Sequence, residues 1–400
     1  MSFKTETSCI SDSTSSQDPR LAPLGCVSEC RACPHRYHEY NEGLRLKVEH
    51  VKSLAKQFNI SIEPPRLHVF SAPTDSRWGY RRRALLRIAP TADRSDYNVG
   101  FIRSRKPLEV LDISTCPLHE PKVQKSLLKF KAYLSRSAAA CSNIPLHSVL
   151  VQPRLVTLVI KASPSEGQDL LKSHFAWFLD LEEELQPIQV RYCLNPSAGN
   201  RIFYRKGFYV INSDSVFESV ASTLVFDQVL AELHSIALKE SASYLEPSPQ
   251  QPILDFYSGT GASLEVWSRS HAPCLGVELV SEAVEIARVR ANPNSVLQGS
   301  VETRVAQIES QAHAWTQSSL KFPRIYLNPP STGLDHRLVE SLADGVLASA
   351  DRMAYLSCQP RSLFRDLAKL TSSGWRIHSF NIFDFFPQTG AIEVLVHLEK

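Results

Sequence analysis

Ile253-Leu-Asp-Phe-Tyr-Ser-Gly-Thr-Gly261 is an apolar run that ends in a glycine turn, and a helical stretch follows it. Seventeen residues after Gly261, a second apolar run closes on Gly276-Val-Glu278. The rhythm then repeats. Short apolar runs at Ile253–Tyr257, Cys274–Glu278, Ser295–Gln298, Arg324–Leu327, Met353–Ser357, Ile377–Phe383 and Ile392–Leu398 alternate with helical stretches. Such alternation predicts a mostly parallel sheet flanked by helices. The last two runs are separated by only Asp384–Ala391, which predicts an antiparallel pair at the end of that sheet.

Gly259 and Gly261 let the backbone turn sharply and approach a ligand closely. The loop lacks the third glycine of a dinucleotide fingerprint and the Gly-Lys-[Ser/Thr] of a phosphate loop. Glu278 ends the next strand, where a carboxylate can accept from both hydroxyls of an adenosine ribose. Asp-x-x-x-Gly-x-Gly followed by such an acid is the pattern of an S-adenosylmethionine pocket. Tyr257, inside the loop, joins the candidate cofactor residues.

Two further stretches would end strands at the same edge of the sheet, where ligands bind in open α/β folds. Tyr326-Leu-Asn328-Pro-Pro330 presents Asn328 beside a loop stiffened by two prolines. Asn-Pro-Pro followed by an aromatic would suggest adenine amino-group methylation, but Ser331 follows here. Tyr355-Leu-Ser-Cys358 puts a thiol at a strand end, a nucleophile if its thiolate is stabilised and otherwise a structural cysteine. Glu393 opens the final apolar run, either as an edge ion pair or as a positioned base that is ionised at neutral pH.

Upstream of Ile253 the pattern differs. The chain has 400 residues, enough for two or three domains. Residues 1–22 are polar, rich in Ser and Thr, and read as a disordered tail without a secretory signal. Asn41–Phe58 and Lys122–Arg136 have apolar residues at helical spacing, whereas 66–115, 148–162 and 187–211 read as strands. Val220–Glu240 reads as a long helix, stopped by the prolines of 246–252. No apolar run reaches the length of a membrane span.

The net charge of +3 is too small to make the whole chain a nucleic-acid binder, so a local patch must carry that role. From Asp75 to Val110 nine basic residues face four acidic ones, with Trp78 and Tyr80 interleaved. Arginine pairs with phosphate and stacks on unpaired bases, which makes Arg81, Arg82, Arg83, Arg87, Arg103 and Arg105 candidate RNA contacts. The nine cysteines are an odd number in a long chain, which argues against a disulfide framework. Three of them crowd into Cys26-x3-Cys30-x2-Cys33, a metal or cluster spacing. His35 and His38 follow and are expected at the surface.

Taken together, these motifs resemble the RNA uracil-5-methyltransferase family, from Cys26 to Lys400. Ser357-Cys358-Gln359-Pro360-Arg-Ser-Leu363-Phe-Arg365-Asp366 resembles the family's S-C-N-P-x-T-L-x-R-D. Asp384-Phe-Phe-Pro-Gln-Thr-Gly-Ala-Ile-Glu393 resembles D-M-F-P-H-T-x-H-x-E, and Asn328-Pro-Pro-Ser-Thr-Gly333 resembles [DN]-P-P-R-x-G. Departures are Ser331 for Arg, Gln359 for Asn, Gln388 for His, and Phe217-Glu218-Ser-Val220 for F-Q-x-N.

The resemblance implies an α/β fold: a Rossmann-like class I methyltransferase domain over 211–400, preceded by an α+β domain over 23–210. The helix at 41–58 would pack on the catalytic domain. The earlier domain would bear a [4Fe-4S] site on Cys26, Cys30, Cys33 and Cys116, zinc being the competing reading. Cys358 would be the nucleophile and Glu393 the base. Glu218, Tyr257, Gly259, Gly261, Glu278, Ser300 and Asn328 would surround S-adenosylmethionine. The expected substrate is ribosomal RNA, in the cytoplasm, with the enzyme a monomer away from membranes. Methylation of another base position or of transfer RNA, or RNA binding without turnover, are the alternatives.

Overall fold

The computed structural model describes residues 23–105, 108–194, 208–209, 229–292 and 295–400. They divide into two compact units that are discontinuous in sequence. One holds the described residues up to His38 and from Asp75 through Tyr209; the other holds Glu39–Thr74 and everything from Val229 onward.

Among the described residues, fifteen strands follow one another along the chain. They are β1 Leu67–Phe70, β2 Ala84–Pro90, β3 Tyr97–Arg105, β4 Leu108–Asp112, β5 Leu146–Gln152, β6 Leu155–Ile160, β7 Gln189–Leu194 and β8 Phe208–Tyr209. Then come β9 Ile253–Phe256, β10 Cys274–Glu278, β11 Val296–Gln298, β12 Arg324–Leu327, β13 Arg352–Ser357, β14 Arg376–Phe383 and β15 Glu393–Glu399.

The first unit is a seven-stranded sheet in the order β4-β3-β2-β5-β6-β7-β8, mostly antiparallel, with only β6 and β7 parallel. Its strands alternate. Leu86, Ile88, Val149, Val151, Val156, Leu158 and Tyr192 face the helices Pro121–Arg136 and Phe175–Leu185 and form one core. Two helices here, Pro164–Ser173 and Phe175–Leu185, were not anticipated. The first carried a readable signal, since Ser163 and Glu166 form a capping box across the amino end of Pro164–Ser173.

The second unit is an eight-stranded sheet in the order β1-β14-β15-β13-β12-β9-β10-β11. All its neighbouring pairs are parallel except the two made by β15, which lies antiparallel between β13 and β14. The predicted antiparallel pair is therefore present but does not end the sheet, because β1 pairs with β14 outside it, Leu67 opposite Phe380. β1 was read from sequence as part of the earlier domain, and tertiary pairing moves it. The helix predicted at 41–58 runs Tyr40–Gln57 and buries Val48, Val51, Leu54 and Ala55 in the same core as Leu363, Leu367 and Val396. The helix expected at 220–240 is described from Ala231 to Leu245, where Glu246 takes a left-handed φ of 46° ahead of Pro247. Its upstream part lies outside the described residues.

Chain order reverses at β9, which has β10 on one side and β12 on the other. That reversal opens a crevice at the strands' carboxyl ends. Gly261 sits there with φ of 77°, and a Cβ on it would come within 2.8 Å of the Ala287 Cα. Gly261→Ala thus combines a left-handed penalty of about 1–2 kcal/mol with a backbone overlap. It is expected to lower the melting temperature by several degrees, measured by thermal unfolding followed by circular dichroism.

Candidate active site

Five pieces of the second unit meet at this crevice, each placed by the end of a strand. The first is the turn after β9. Asp255 is buried and accepts from Trp267 Nε1 at 2.8 Å, and burial pushes its carboxyl up to about 7. Tyr257 takes a left-handed φ of 63°, strained for a tyrosine, and its hydroxyl accepts from the Asp335 amide at 3.0 Å. A Cβ on Gly259 would meet nothing within 4 Å, so the turn faces open space.

Glu278 ends β10. Its Oε2 accepts from Gly259 N at 3.0 Å and its Oε1 from Val280 N at 2.8 Å. Both oxygens are thereby oriented at the crevice, and each keeps a second lone pair for a ligand hydroxyl. Burial pushes this carboxyl above its ordinary range. Ser300, beyond β11, caps the Val301–Gln317 helix through its hydroxyl, which accepts from Thr303 N at 3.3 Å. Glu218 lies outside the described residues.

The third piece is the loop after β12. Asn328 is half-buried, and its backbone N–H donates to Phe256 O at 3.2 Å. The loop behind it is bonded to the Pro360–Ser372 helix. Ser362 Oγ donates to Ser331 O at 2.9 Å, Arg365 Nη2 to Thr332 O at 3.0 Å, and Leu334 N to Asp366 Oδ2 at 2.8 Å. Buried Asp366 also accepts from Tyr355 Oη at 2.8 Å and from Arg365. Arg365 and Asp366 stand in the quoted motif, yet this stitching role had no local signal, because their partners are some 30 residues away.

The last two pieces carry the candidate chemistry. Cys358 follows β13 directly, and Glu393 opens β15. Ser357 pairs with Val394, so the next step along the ladder sets Cys358 against Glu393. Cys358 is open to solvent, although the chain around its sulfur still disfavours the thiolate. Burial, and then the Glu393 charge, push the thiol up. Glu393 is 1% exposed, its Oε2 has no hydrogen-bond partner among the described residues, and burial pushes it up to about 8. This corrects the expectation of a carboxylate ionised by default: at neutral pH the free site favours its protonated form.

In the first unit, Cys26, Cys30, Cys33 and Cys116 are free thiols. Burial pushes Cys33 up to about 12, with Cys116, Cys30 and Cys26 adding to it and Arg81 opposing. The four thiols thus lie within electrostatic reach of one another. No three His, Cys, Asp or Glu side chains among the described residues are grouped tightly enough to hold a metal ion. His35 is buried, against the expectation of a surface residue, whereas His38 is half-buried. Of the six candidate RNA arginines, Arg82, Arg103 and Arg105 are exposed, and Arg81, Arg83 and Arg87 are half-buried. Among the described residues, no helix is long and apolar enough to cross a membrane.

A glycine turn after β9, an acid at the end of β10 and β15 inserted antiparallel between β13 and β14 make up the Rossmann-like fold seen in S-adenosylmethionine-dependent methyltransferases. Residues 226–400 match the family described as tRNA (Uracil-5-)-methyltransferase. The 23S rRNA (uracil(1939)-C(5))-methyltransferase RlmD of Pseudomonas aeruginosa is 26% identical, over 96% of this chain and 82% of that protein. The RlmD of Vibrio cholerae is 24% identical, over 95% and 82%. An uncharacterized RNA methyltransferase of Listeria innocua is 22% identical, over 94% and 83%. Among solved structures, Pyrococcus abyssi tRNA (uracil-54, C5)-methyltransferase in complex with S-adenosyl-L-homocysteine superposes with a TM-score of 0.62. Its identity is 19%, and the match covers 92% of this chain and 85% of that one. Residues 226–400 are thus similar to the RNA uracil-5-methyltransferase family, the one that the chain's motifs resemble.

The Glu393 shift has a consequence for stability. Its folded-state value of about 8 lies above the ordinary 4.5, so over that window the fold retains a proton that the unfolded chain has released. Stability therefore declines as pH rises from about 4.5 to 8. Glu393→Gln removes this dependence. Its melting temperature is expected to fall less than the wild type's between pH 5 and about 8, read by calorimetry in matched buffers.

Proposed function

We propose that this protein transfers a methyl group from S-adenosylmethionine to C5 of a uridine in 23S ribosomal RNA. The observation that carries the reading is the placement of Cys358 opposite Glu393 at the crevice that also holds Gly259, Glu278 and Asn328. The RlmD relatives, similar along nearly the whole chain, favour ribosomal over transfer RNA.

The residues suit the cofactor. Glu278 has its carboxylate oriented for ribose hydroxyls, and the turn at Tyr257, Gly259 and Gly261 opens on free space. Asn328 would bond the uracil edge or the cofactor amine, while Glu218 and Ser300 complete the proposed pocket. When bound, S-adenosylmethionine supplies an electrophilic methyl group whose bond to the sulfonium breaks with the electron pair going to sulfur.

Uracil C5 is a poor nucleophile, and Cys358 changes that. Its thiol gives its proton to solvent, the thiolate adds to C6, and the C5–C6 π pair moves onto C5 and O4 as an enolate. C5 then takes the methyl group. Glu393, protonated in the free site, must first lose that proton to solvent; as the carboxylate it then removes the C5 proton, the C–H pair re-forms the C5–C6 double bond, and the C6–S pair returns to Cys358 as thiolate. This is covalent catalysis joined to general-base catalysis. The target base must leave any stack, since a sheet edge cannot enter a duplex. Exposed Arg82, Arg103 and Arg105 would bind phosphates, with Arg81, Arg83 and Arg87 behind them. The protein would act as a cytoplasmic monomer.

Cys26, Cys30, Cys33 and Cys116 would hold a [4Fe-4S] cluster, or zinc in the competing case. Thr115 Oγ1 donates to Gly25 O at 2.5 Å and ties the two cysteine segments together. Arg36 lies near Cys26, and Arg81 near Cys33 and Cys116, and these charges suit a tetrathiolate group. When bound, such a cluster supplies a cross-link between residues about 90 positions apart.

Labelled S-adenosylmethionine and unmodified ribosomal RNA, followed by nucleoside analysis, test the reaction. The expected product is 5-methyluridine, lost by a factor of at least 10³ in Cys358→Ala while cofactor binding persists. Another methylated nucleoside would overturn the assignment of C5. Protein purified without oxygen is expected to be brown with about four iron atoms per chain. Cys116→Ser should lose the colour; zinc in the colourless protein would select the other metal.

A further inference from the structure

Lys47 is a charged residue within an apolar stripe. It lies between Leu44 and Val48 on the Tyr40–Gln57 helix, whose neighbours Val48 and Val51 are core residues. It is only 3% exposed. Its Nζ donates to Asp384 Oδ1 at 2.7 Å, to Phe386 O at 2.8 Å and to Ala391 O at 3.1 Å. An ammonium has three protons, and here each has an acceptor.

All three acceptors belong to one segment, 384–391, which joins β14 to β15. Its two ends flank a single ladder pair, Phe383 opposite Glu393. Asp384 follows Phe383 directly, and Ala391 stands two residues before Glu393. Lys47 therefore clasps both sides of the connection at the point where it delivers Glu393. Within the connection, Gln388 takes φ of 67°, and Thr389 Oγ1 donates to Phe386 O at 2.8 Å while accepting from Ala391 N at 3.2 Å. The Glu393 Oε2 atom has no partner of its own among the described residues. Backbone placement therefore sets where this carboxyl points.

We propose that Lys47 is a positioning residue for the base: it holds Glu393 against the substrate's C5 and is required for proton removal. Its three acceptors all lie between Asp384 and Ala391, so the effect is expected on proton removal and not on cysteine addition or cofactor binding. The proposal rests on the uridine-methylating reading and deepens it.

The test separates the two halves of the reaction. RNA substrate containing 5-fluorouridine accepts the thiolate and the methyl group but has no C5 proton to give, so the covalent complex accumulates. RNA containing uridine needs the base to turn over. Lys47→Gln is expected to form the 5-fluorouridine complex at close to the wild-type rate and to bind S-adenosylhomocysteine normally. On uridine RNA its turnover should fall by about 10²-fold, the scale of a displaced general base. A protein–RNA adduct should then build up in the steady state, and tritium release from C5-tritiated uridine should become rate-limiting. Lys47→Arg, which keeps the charge, should recover part of the turnover.

Parallel slowing of both reactions in Lys47→Gln, or no effect on either, would overturn the proposal. Should Lys47→Gln fail to fold, Asp384→Asn weakens the same clasp while leaving the carbonyl contacts, and it is judged by the same ratio of rates. If the wild type itself forms no complex with 5-fluorouridine RNA and no 5-methyluridine, the fault lies with the reaction assignment and not with Lys47.

Discussion

The antiparallel ladder between β13 and β15, in which Ser357 faces Val394, is the constraint on which the proposed chemistry depends. The other strands of this sheet are mutually parallel and bring only their carboxyl ends to the crevice. β15 runs the other way and brings its first residue there. Glu393 therefore reaches the edge occupied by Cys358. Were β15 parallel, the six steps of about 3.3 Å along its seven residues would carry Glu393 to the opposite edge, about 20 Å away.

Electrostatics at that edge runs against charge. Burial is the leading cause of the upward shifts of Asp255, Glu278, Cys358 and Glu393. Perturbed groups cluster at functional sites, and four of them gather in this crevice. The apolar core behind the edge, with Phe256, Leu327, Tyr355 and Val394, offsets that cost.

Loops carry the reactive residues, but bonds from regular elements hold them. Tyr257 secures the 328–335 loop through the Asp335 amide, Asp366 secures it through Leu334, and Lys47 secures the segment before Glu393. These contacts connect the cofactor turn, the Asn328 loop and the base into one rigid frame. Precision of this kind is what the proposed covalent mechanism would require.

The alternation from Ile253 onward, the glycine turn and the acid at Glu278 were legible because their signals are local: period, turn chemistry and strand-end position. So were Cys358 and Glu393 as residues of interest. Not legible were the assignment of β1 to the catalytic sheet, the protonated state of Glu393 and the burial of His35. Lys47 hid in plain view as a charge on an apolar helix face. Its meaning lay 337 residues away at Asp384. Sequence alone determined which elements form and which side chains can do chemistry, because backbone preference and side-chain identity are local properties. Tertiary structure alone decided which of them meet and at what charge, because pairing order and burial belong to the whole chain.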